Sequence, residues 1–314
     1  MSTIQTNAIV DASGGNTATV NGKNITSSNT MGRNIIINGG FDVWQRGTNF
    51  SSASYTYTSD RWKVNSATVA KTANGYKNAI SLTSTAVFAS LIQVVENGWK
   101  LKGKKVTYSF DVTSPADMGT AYLYYLNTGG TGIANTTVDF STAGRKSVTF
   151  TIPSDGSSTS NFEIRIVING NGSERGSCVI SDVQLELGSL ATDFDQRTYA
   201  AELTACQRYY QQMVCGSDAF TFPGKGQGST SVDGTFPLAV PLRASPTMNA
   251  ITTRFFSDDG FTTSTAAPTT NQFSADNCHL AVNIASFSGG TAFSNNHAGV
   301  WCPQASTLKI DAEL

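Results

Sequence analysis

The sequence predicts a mainly β protein with four segments: an N-terminal arm (1–33), a β-sandwich or jelly roll (34–190), a short coiled-coil helix (191–216) and a C-terminal β-domain (217–314). Three observations support this fold class. Only 14% of the 314 residues are charged, glycine, serine, threonine and asparagine are abundant, and apolar and polar residues alternate in several short runs. Such alternation is typical of half-buried strands, and glycine and asparagine suit the tight turns between them.

The first 33 residues are polar and contain few large apolar side chains. A segment of this composition cannot bury a core by itself, so it is either a flexible tail or an arm that becomes ordered against a partner. The beginning lacks the basic start and apolar stretch of a secretory signal, and no run of 18 apolar residues predicts a membrane span. We therefore expect synthesis in the cytoplasm and no membrane insertion.

Net charge argues against a nucleic-acid partner. The chain has a formal net charge of −1, whereas nucleic-acid binders show a clustered basic stripe. The densest basic run, residues 99–105 (WKLKGKK), is interpreted as a solvated turn before a strand.

The sandwich prediction rests on short strands separated by turn-rich pieces. Asn34–Asn38 is predicted as an apolar strand that Gly39 and Gly40 close. Four later runs place alternate residues on one face: 105–113, 146–152, 162–168 and 179–187. Regular short strands with this spacing favour an antiparallel β-sandwich or jelly roll.

A helix is predicted next, after Asp195 or Thr198 as its cap. Five residues follow each other at spacings of 4, 3, 4 and 3, the pattern of a coiled-coil seam: Tyr199, Leu203, Cys206, Tyr210 and Met213. Two heptads are only marginally stable alone in water, so something must cover the seam. The cover is either a sandwich face of the same chain or the same helix from two further chains.

The C-terminal segment again has β character, with many aromatic residues and with prolines that interrupt the runs. Two of its loops, residues 256–261 and 287–297, combine aromatic, asparagine, serine and glycine residues, as recognition loops do. The candidate receptor contacts there are Asp258, Asp259, Phe261, Asn295, Asn296 and His297. The alternative is that these loops are ordinary hairpin turns.

A second candidate contact surface lies in the sandwich. Sugar sites combine apolar surface with a few placed polar groups. In residues 121–126 (AYLYYL), Tyr122 and Tyr124 share a strand face and, together with Arg165, could form a glycan platform. The alternatives are ordinary cross-strand pairs or a contact between subunits.

Other residues receive structural interpretations. Trp44 and Trp62 are predicted core residues, and Asp60 and Arg61 a local ion pair. The five cysteines show no C-x-x-C spacing, so free thiols are expected.

No catalytic constellation is apparent. Asp258 and Asp259 are adjacent, which does not give the separated carboxylates of a glycosidase. His279 and His297 lack a G-x-S-x-G partner. We expect no enzymatic activity.

Two stretches resemble bacteriophage tail fibre proteins. Residues 34–62 (NIIINGGFDVWQRGTNF…YTSDRW) look like the opening of a domain widespread in these proteins. Residues 185–210, with L-E-x-G, A-T-x-F and C-Q-R-Y-Y, are similar to the junction that follows that domain. Weaker likenesses to the virion-proximal segment and the tip domain cover DASGGNTATVNG and FPLAVPLRASPTM.

The resemblance implies a structural and adhesive virion protein, a homotrimeric tail fibre that recognises host cell-surface glycan. It implies that the predicted helical seam meets its own copies, that residues 1–33 dock to tail or baseplate proteins, and that the protein resides in the virion tail. The alternatives are a head-attached fibre or decoration protein of the virion, or an isolated carbohydrate-binding module.

The first domain also resembles jelly-roll carbohydrate-binding modules of the family 4/9 type. These open with N-G-x-F-E and close with D-D-V-x-L, where this chain has residues 38–42 (NGGFD) and 181–185 (SDVQL). The resemblance implies a structural calcium held by Asp42 and Asp182, although aspartate replaces the usual glutamate and Ser181 replaces one aspartate. The alternative is that both are strand-end polar residues, and no other cofactor is expected.

Overall fold

A computed structural model describes most of the chain and divides it into two compact units. The described residues are 19–20, 23–24, 33–114, 119–125, 134–138, 142–152, 154, 162–169, 176–215, 222–227, 230–257, 260–272, 279–290, 298–303 and 306–313. Those of unit 1 fall within Met1–Phe41, Thr48–Thr56 and Lys63–Arg197, and those of unit 2 within Asp42–Gly47, Tyr57–Trp62 and Thr198–Leu314. Two short segments from the N-terminal part of the chain therefore belong to unit 2.

The first fourteen strands are, in chain order, β1 (Thr19–Val20), β2 (Lys23–Asn24), β3 (Asn49–Ala53), β4 (Thr56–Tyr57), β5 (Lys63–Asn65), β6 (Ala67–Asn74), β7 (Lys77–Ser84), β8 (Phe88–Val95), β9 (Lys105–Ser114), β10 (Gly119–Tyr125), β11 (Ala134–Val138), β12 (Gly144–Thr151), β13 (Phe162–Asn169) and β14 (Ser177–Leu187). One turn of 3₁₀ helix, Gly98–Leu101, follows β8. The prediction of a mainly β fold is confirmed.

Two six-stranded antiparallel sheets build unit 1. The front sheet has the order β11-β10-β13-β8-β5-β4, and the back sheet has the order β12-β9-β14-β7-β6-β3. From β7 to β14 the chain crosses repeatedly between the sheets, since β7, β9, β12 and β14 lie in one and β8, β10, β11 and β13 in the other. Alternate residues of β12 and β13 are buried, as expected in a β-sandwich, whereas consecutive residues of β8 and of β14 are buried on both faces.

The predicted alternation within these strands is confirmed. Ile164, Ile166 and Ile168 of β13 are fully buried, and so are Tyr108 and Phe110 of β9. Because these apolar side chains are two residues apart, each strand contributes a continuous apolar face to the core.

The predicted strand Asn34–Asn38 is wrong. The segment is irregular, although the Ile35 amide donates to the Leu185 carbonyl at 2.9 Å. Asn38 has a φ of 58°, in the left-handed region that regular strands do not use. The side chain of Asn34 also bonds the Ile36 amide, at 3.0 Å, and thus takes a donor that a sheet neighbour would need.

The remaining strands are β15 (Tyr210–Cys215), β16 (Phe222–Gln227), β17 (Ser231–Pro237), β18 (Thr247–Met248), β19 (Thr253–Ser257), β20 (Gly260–Ser264), β21 (Thr269–Gln272), β22 (His279–Ile284), β23 (Ser288–Gly290), β24 (Ala298–Pro303) and β25 (Ser306–Asp311). They form a three-stranded sheet, β15-β25-β18, and an eight-stranded sheet, β21-β22-β17-β16-β24-β19-β20-β23. The core of unit 2 centres on Trp301, whose ring centroid lies 5.0 Å from that of Phe222.

The helix is shorter than predicted. Helix α1 covers Tyr199–Gln207, and Thr198 caps it by accepting a hydrogen bond from the Ala201 amide. Tyr210–Cys215 instead forms β15 and pairs with β25 near the other end of the chain. The helical spacing was overridden because this distant strand satisfies the backbone of a segment rich in β-favouring residues.

The predicted seam therefore does not run along one helix. Tyr199, Leu203 and Cys206 lie on α1, whereas Tyr210 and Met213 lie on β15. Cys206 and Tyr210 are buried, and Met213 packs against the core of unit 2. The chain itself covers much of this seam.

No helix among the described residues is long and apolar enough to cross a membrane.

Candidate functional site

The outward side of the front sheet carries a charged fork. On β13, Glu163 and Arg165 alternate with the buried isoleucines and point away from the core. The Arg165 Nε donates to Glu163 Oε2 at 3.0 Å, and Nη2 donates to the same oxygen. Their side chains are 20% and 16% exposed, so the pair is accessible but held in place.

Strand pairing sets further residues in line with this fork. On one side, Ile92 is opposite Arg165 and Val94 is opposite Glu163. Lys63 of β5 is in turn opposite Ile92. Residues opposite each other in an antiparallel ladder share a face. Ile92 and Val94 are buried, so Lys63, Glu163 and Arg165 are the accessible residues of this row, and we call their surface the arginine face.

Backbone pairing places the two predicted tyrosines next to residues of the arginine face. Tyr122 of β10 is the register partner of Arg165, and Tyr124 is the register partner of Glu163. The side chains of both tyrosines lie outside the described residues. The register thus brings Tyr122, Tyr124 and Arg165 together in the pairing that the sequence suggested. A planar cation in line with two tyrosines is a combination that suits a sugar site.

The tail-fibre-like motifs converge on a second cluster, inside unit 2. We call Arg46, Asp60, Arg61, Asp311 and Glu313 the buried charge cluster. Arg46 Nη2 lies 3.2 Å from Asp311 Oδ2 and 3.4 Å from Glu313 Oε1, and Arg61 Nη1 pairs with Glu313 Oε2. The predicted partnership of Asp60 with Arg61 is wrong as an account of their salt bridges, because Asp60 pairs with Arg46 and Arg61 with Glu313.

Aromatic rings from the C-Q-R-Y-Y motif cover the two arginines. The guanidinium carbon of Arg61 lies 3.5 Å from the Tyr209 ring centroid, and that of Arg46 lies 3.6 Å from the Tyr210 ring centroid. Arginine is weakly hydrated and stacks well on aromatic faces, which suits it to burial here. Residues of two motifs, 34–62 and 206–210, thus form one structural element together with Asp311 and Glu313.

Amide groups complete the surroundings of Asp60. The Gln45 backbone amide donates to Asp60 Oδ2 at 2.6 Å, and the Gln45 side-chain amide donates to Oδ1 at 2.7 Å. Burial nevertheless raises the pKa of the Asp60 carboxyl, and it also raises the pKa of Glu313 despite the neighbouring arginines. Asp60, Arg61 and Glu313 are nearly inaccessible, so this cluster stabilises unit 2 and does not face a ligand.

Trp62 is fully buried, in agreement with its predicted place in the core. Trp44 is only half-buried.

The L-E-x-G…A-T-x-F stretch forms a polar network in unit 1. Glu186 is buried on β14 and accepts from the Thr192 amide at 2.9 Å and from the Gln184 side chain at 2.8 Å. Arg197 donates to the Ile36 carbonyl at 2.9 Å and thereby holds the opening segment. This motif fixes the chain on the outer side of the back sheet.

The calcium ion that the resemblance implies stays a prediction, and the structure describes the surroundings of its two proposed ligands. Asp182 is on β14, where its carboxylate forms an ion pair with the Lys77 ammonium group. Asp42 belongs to the other unit. Among the described residues, no group of three or more His, Cys, Asp or Glu side chains could hold a metal ion.

Most predicted receptor contacts of the C-terminal domain cannot be placed. Asp258, Asp259, Asn295, Asn296 and His297 lie outside the described residues, and only the backbone of Phe261 is described, opposite Phe256 in the β19–β20 hairpin. An open groove of about 560 Å³, which sequence reasoning missed, crosses β16, β17 and β22 and is lined by Pro223, Gly224, Lys225, Asp233, Gly234, Thr235, Ala281 and Val282.

Comparison with known proteins gives only distant likenesses. No family model and no curated protein sequence matches the chain. The enzymatically active domain of tailspike protein 4 from bacteriophage CBA120 is 15% identical, with a TM-score of 0.34, over 50% of this chain and 22% of that one. This chain therefore matches less than a quarter of the tailspike domain.

Two other solved structures resemble about half of the chain. A cyclase from Fischerella sp. TAU is 16% identical over 51% of this chain and 98% of that one, with a TM-score of 0.36. The CBM22-1 xylan-binding domain from Paenibacillus barcinonensis is 14% identical over 45% and 95%, with a TM-score of 0.32. At TM-scores below 0.5 these likenesses carry no conclusion about function, which has to come from the residues themselves.

Proposed function

We propose that this chain is a virion protein of a bacteriophage, a tail fibre that binds host surface polysaccharide through the arginine face without cleaving it. The arginine face is the observation that carries the proposal. Its fork of Arg165 and Glu163 offers planar donors and acceptors for sugar hydroxyls, and both side chains are partly accessible. The register places two aromatic residues, Tyr122 and Tyr124, on the neighbouring strand β10.

The phage part of the proposal rests on the sequence resemblance, and the structure explains which residues carry it. The tail-fibre-like motifs supply Arg46, Asp60 and Arg61 of the buried charge cluster and the polar network around Glu186, and Asp60, Arg61 and Glu186 are buried. Such residues maintain a fold, which leaves the exposed surface of unit 1 to vary with the ligand. Location in the virion tail and attachment through residues 1–33 belong to the same proposal.

Homotrimer assembly is a further part of this proposal. Because Cys206 and Tyr210 are buried within the chain, a trimer contact would have to use exposed residues of α1 such as Tyr199. Three linked copies would strengthen weak sugar contacts, since linked binding commonly gains about 10²–10⁴ in avidity. Native mass spectrometry of the full chain measures this directly, and a monomer would contradict the trimer.

The experiment is titration of the full chain with neutral polysaccharide from a susceptible host strain, followed by calorimetry. Tyr122→Ala and Arg165→Ala should each weaken binding by about tenfold or more, equivalent to about 1.4 kcal/mol. Tyr76→Ala is the matched control, because Tyr76 is a fully exposed tyrosine at the β6–β7 turn of the back sheet.

Two results would overturn the proposal. One is that the full chain binds no host polysaccharide. The other is that the Tyr122 and Arg165 variants bind as tightly as the Tyr76→Ala control. Thermal melting of each variant checks that the fold is intact, and release of reducing ends from the polysaccharide would contradict binding without cleavage.

A further inference from the structure

The segment that follows β8 concentrates positive charge. Residues 96–105 (ENGWKLKGKK) contain four lysines and one glutamate, in a chain whose formal net charge is −1. Lys100, Lys104 and Lys105 have no carboxylate within 4.0 Å among the described residues. We call residues 96–105 the basic loop. The charges of these three lysines are therefore not neutralised by salt bridges within the described part of the protein.

The backbone of the basic loop is fixed by a series of hydrogen bonds. Within the loop, the Lys100 amide donates to the Asn97 carbonyl at 3.0 Å, and the Lys104 amide donates to the Leu101 carbonyl at 3.0 Å. The Gly103 amide donates to the Ile152 carbonyl, and the Ile152 amide donates to the Lys104 carbonyl, each at 2.9 Å. These two bonds tie the loop to the end of β12. A fixed loop presents its side chains with little loss of entropy on binding.

Packing of Gly98 joins the basic loop to the strand that carries the arginine face. A Cβ at Gly98 would lie 2.2 Å from the Phe162 ring, so only glycine allows this approach. Phe162 is fully buried and begins β13, immediately before Glu163. The basic loop therefore lies at the end of the arginine face.

Trp99 is exposed on this fixed turn. Trp99 is 45% exposed, whereas tryptophan residues are on average highly buried. The Lys100 ammonium lies 5.6 Å from the Trp99 ring centroid. An indole face beside an ammonium group can stack on a sugar ring and at the same time pair with an acidic substituent of that ring.

We infer that the basic loop binds an acidic polysaccharide, with Trp99 stacked on a sugar ring and Lys100 and Lys104 paired with its carboxylate or phosphate groups. The inference rests on the proposed function and names the substrate class, since it extends the arginine face to a charged part of the same glycan. Attraction of this kind is screened by salt, because the lysines are exposed.

The test compares two defined probes on the full chain: a decamer of galacturonic acid and a neutral decamer of glucose. We expect the uronate to bind more tightly at 20 mM than at 300 mM NaCl, because the Debye length falls several-fold over that range. Lys100→Gln/Lys104→Gln and Trp99→Ala should each weaken uronate binding by about tenfold or more. A polyphosphate of similar length distinguishes phosphate from carboxylate as the preferred group.

A charge-matched control distinguishes an effect of the basic loop on binding from an effect of the protein's net charge. Lys71→Gln/Lys309→Gln removes two exposed lysines from β6 and β25 and should leave uronate binding unchanged. Equal losses in the two double variants would overturn the inference, and so would binding that Trp99→Ala does not weaken. The glutamine variants change only exposed side chains, so they should fold even if Trp99→Ala does not.

Two further comparisons test the inference: binding of other polyanions, and the effect of variants in the arginine face. Tighter binding of single-stranded DNA or of anionic phospholipid vesicles than of the uronate would overturn the inference in favour of those partners. If Tyr122→Ala abolishes binding of the neutral host polysaccharide while the basic-loop variants bind uronate normally, the inference fails and the proposed function stands. If no glycan binds, both fail.

Discussion

Replacing Asn34 by alanine should destabilise unit 1 strongly, because this one side chain serves three backbone groups. Its Nδ2 donates to the Val183 carbonyl at 3.0 Å. Its Oδ1 accepts from the Ile36 amide at 3.0 Å and from the Leu185 amide at 3.1 Å. Asn34 is only 3% exposed, so water cannot easily replace these bonds.

The magnitude follows from the number of groups left without a partner. A buried backbone group that loses its hydrogen bond costs about 1–3 kcal/mol. Three such groups, with partial relaxation of the opening segment, give an expected loss of about 3–5 kcal/mol in the free energy of unfolding of unit 1. This would place Asn34→Ala among the most severe substitutions in the sandwich.

Hydrogen–deuterium exchange of peptides from β14 measures this loss within unit 1. For amides that exchange through unfolding of the unit, a loss of 3–5 kcal/mol accelerates exchange by roughly 10²–10³-fold or more. Asn49→Ala is the matched control, since Asn49 is exposed on the edge strand β3 and bonds only the neighbouring Thr48 side chain in the described structure. If Asn34→Ala accelerates exchange no more than Asn49→Ala, the structural role assigned to the opening motif is refuted.

Three further predictions concern unit 2. Burial raises the pKa of Asp60 and Glu313, so their contribution to stability is present below the ordinary carboxyl pKa of about 4 and is lost as pH rises through the raised values. The urea midpoint followed by tryptophan fluorescence should accordingly fall from pH 4 to 7, and Glu313→Gln should flatten this dependence. Gly234→Ala should cost about 1–3 kcal/mol in thermal or urea unfolding, because its Cβ would lie 2.2 Å from the Trp301 indole nitrogen; an unchanged midpoint would contradict this packing. Burial raises the pKa of the Cys206 thiol well above its usual value, so a thiol reagent should modify it only at the rate of unfolding, and fast labelling of the native protein would be the contrary result.

The strands could be predicted because their signals are local. In β13, alternation alone identified which residues enter the core and which remain with Arg165 on the outer face. The register that places Tyr122 opposite Arg165 needed the structure, since β10 and β13 are separated by more than thirty residues. What the alternation supplied was the correct face of each strand.

The predictions that were wrong failed because contacts between residues distant in sequence determine the structure at those positions. Tyr210 and Met213 fit a helical seam in sequence, but pairing with β25, about a hundred residues away, determines their conformation. The partner of Arg61 was missed for the same reason, because Glu313 is 252 residues distant. An available signal was that Asp311 and Glu313 are acidic residues near the end of a chain with few charges.

The threading of residues 42–47 and 57–62 into unit 2 has a consequence for how the protein is made. These segments leave the ribosome well before their ion-pair partners, since Asp311 is 265 residues after Arg46 and Glu313 is 252 residues after Arg61. Until Asp311 and Glu313 have been synthesised, Arg46 and Arg61 lack these two carboxylate partners. Synthesis as far as Glu313 therefore precedes completion of unit 2, and a fragment that begins at residue 198 would lack two segments of that unit.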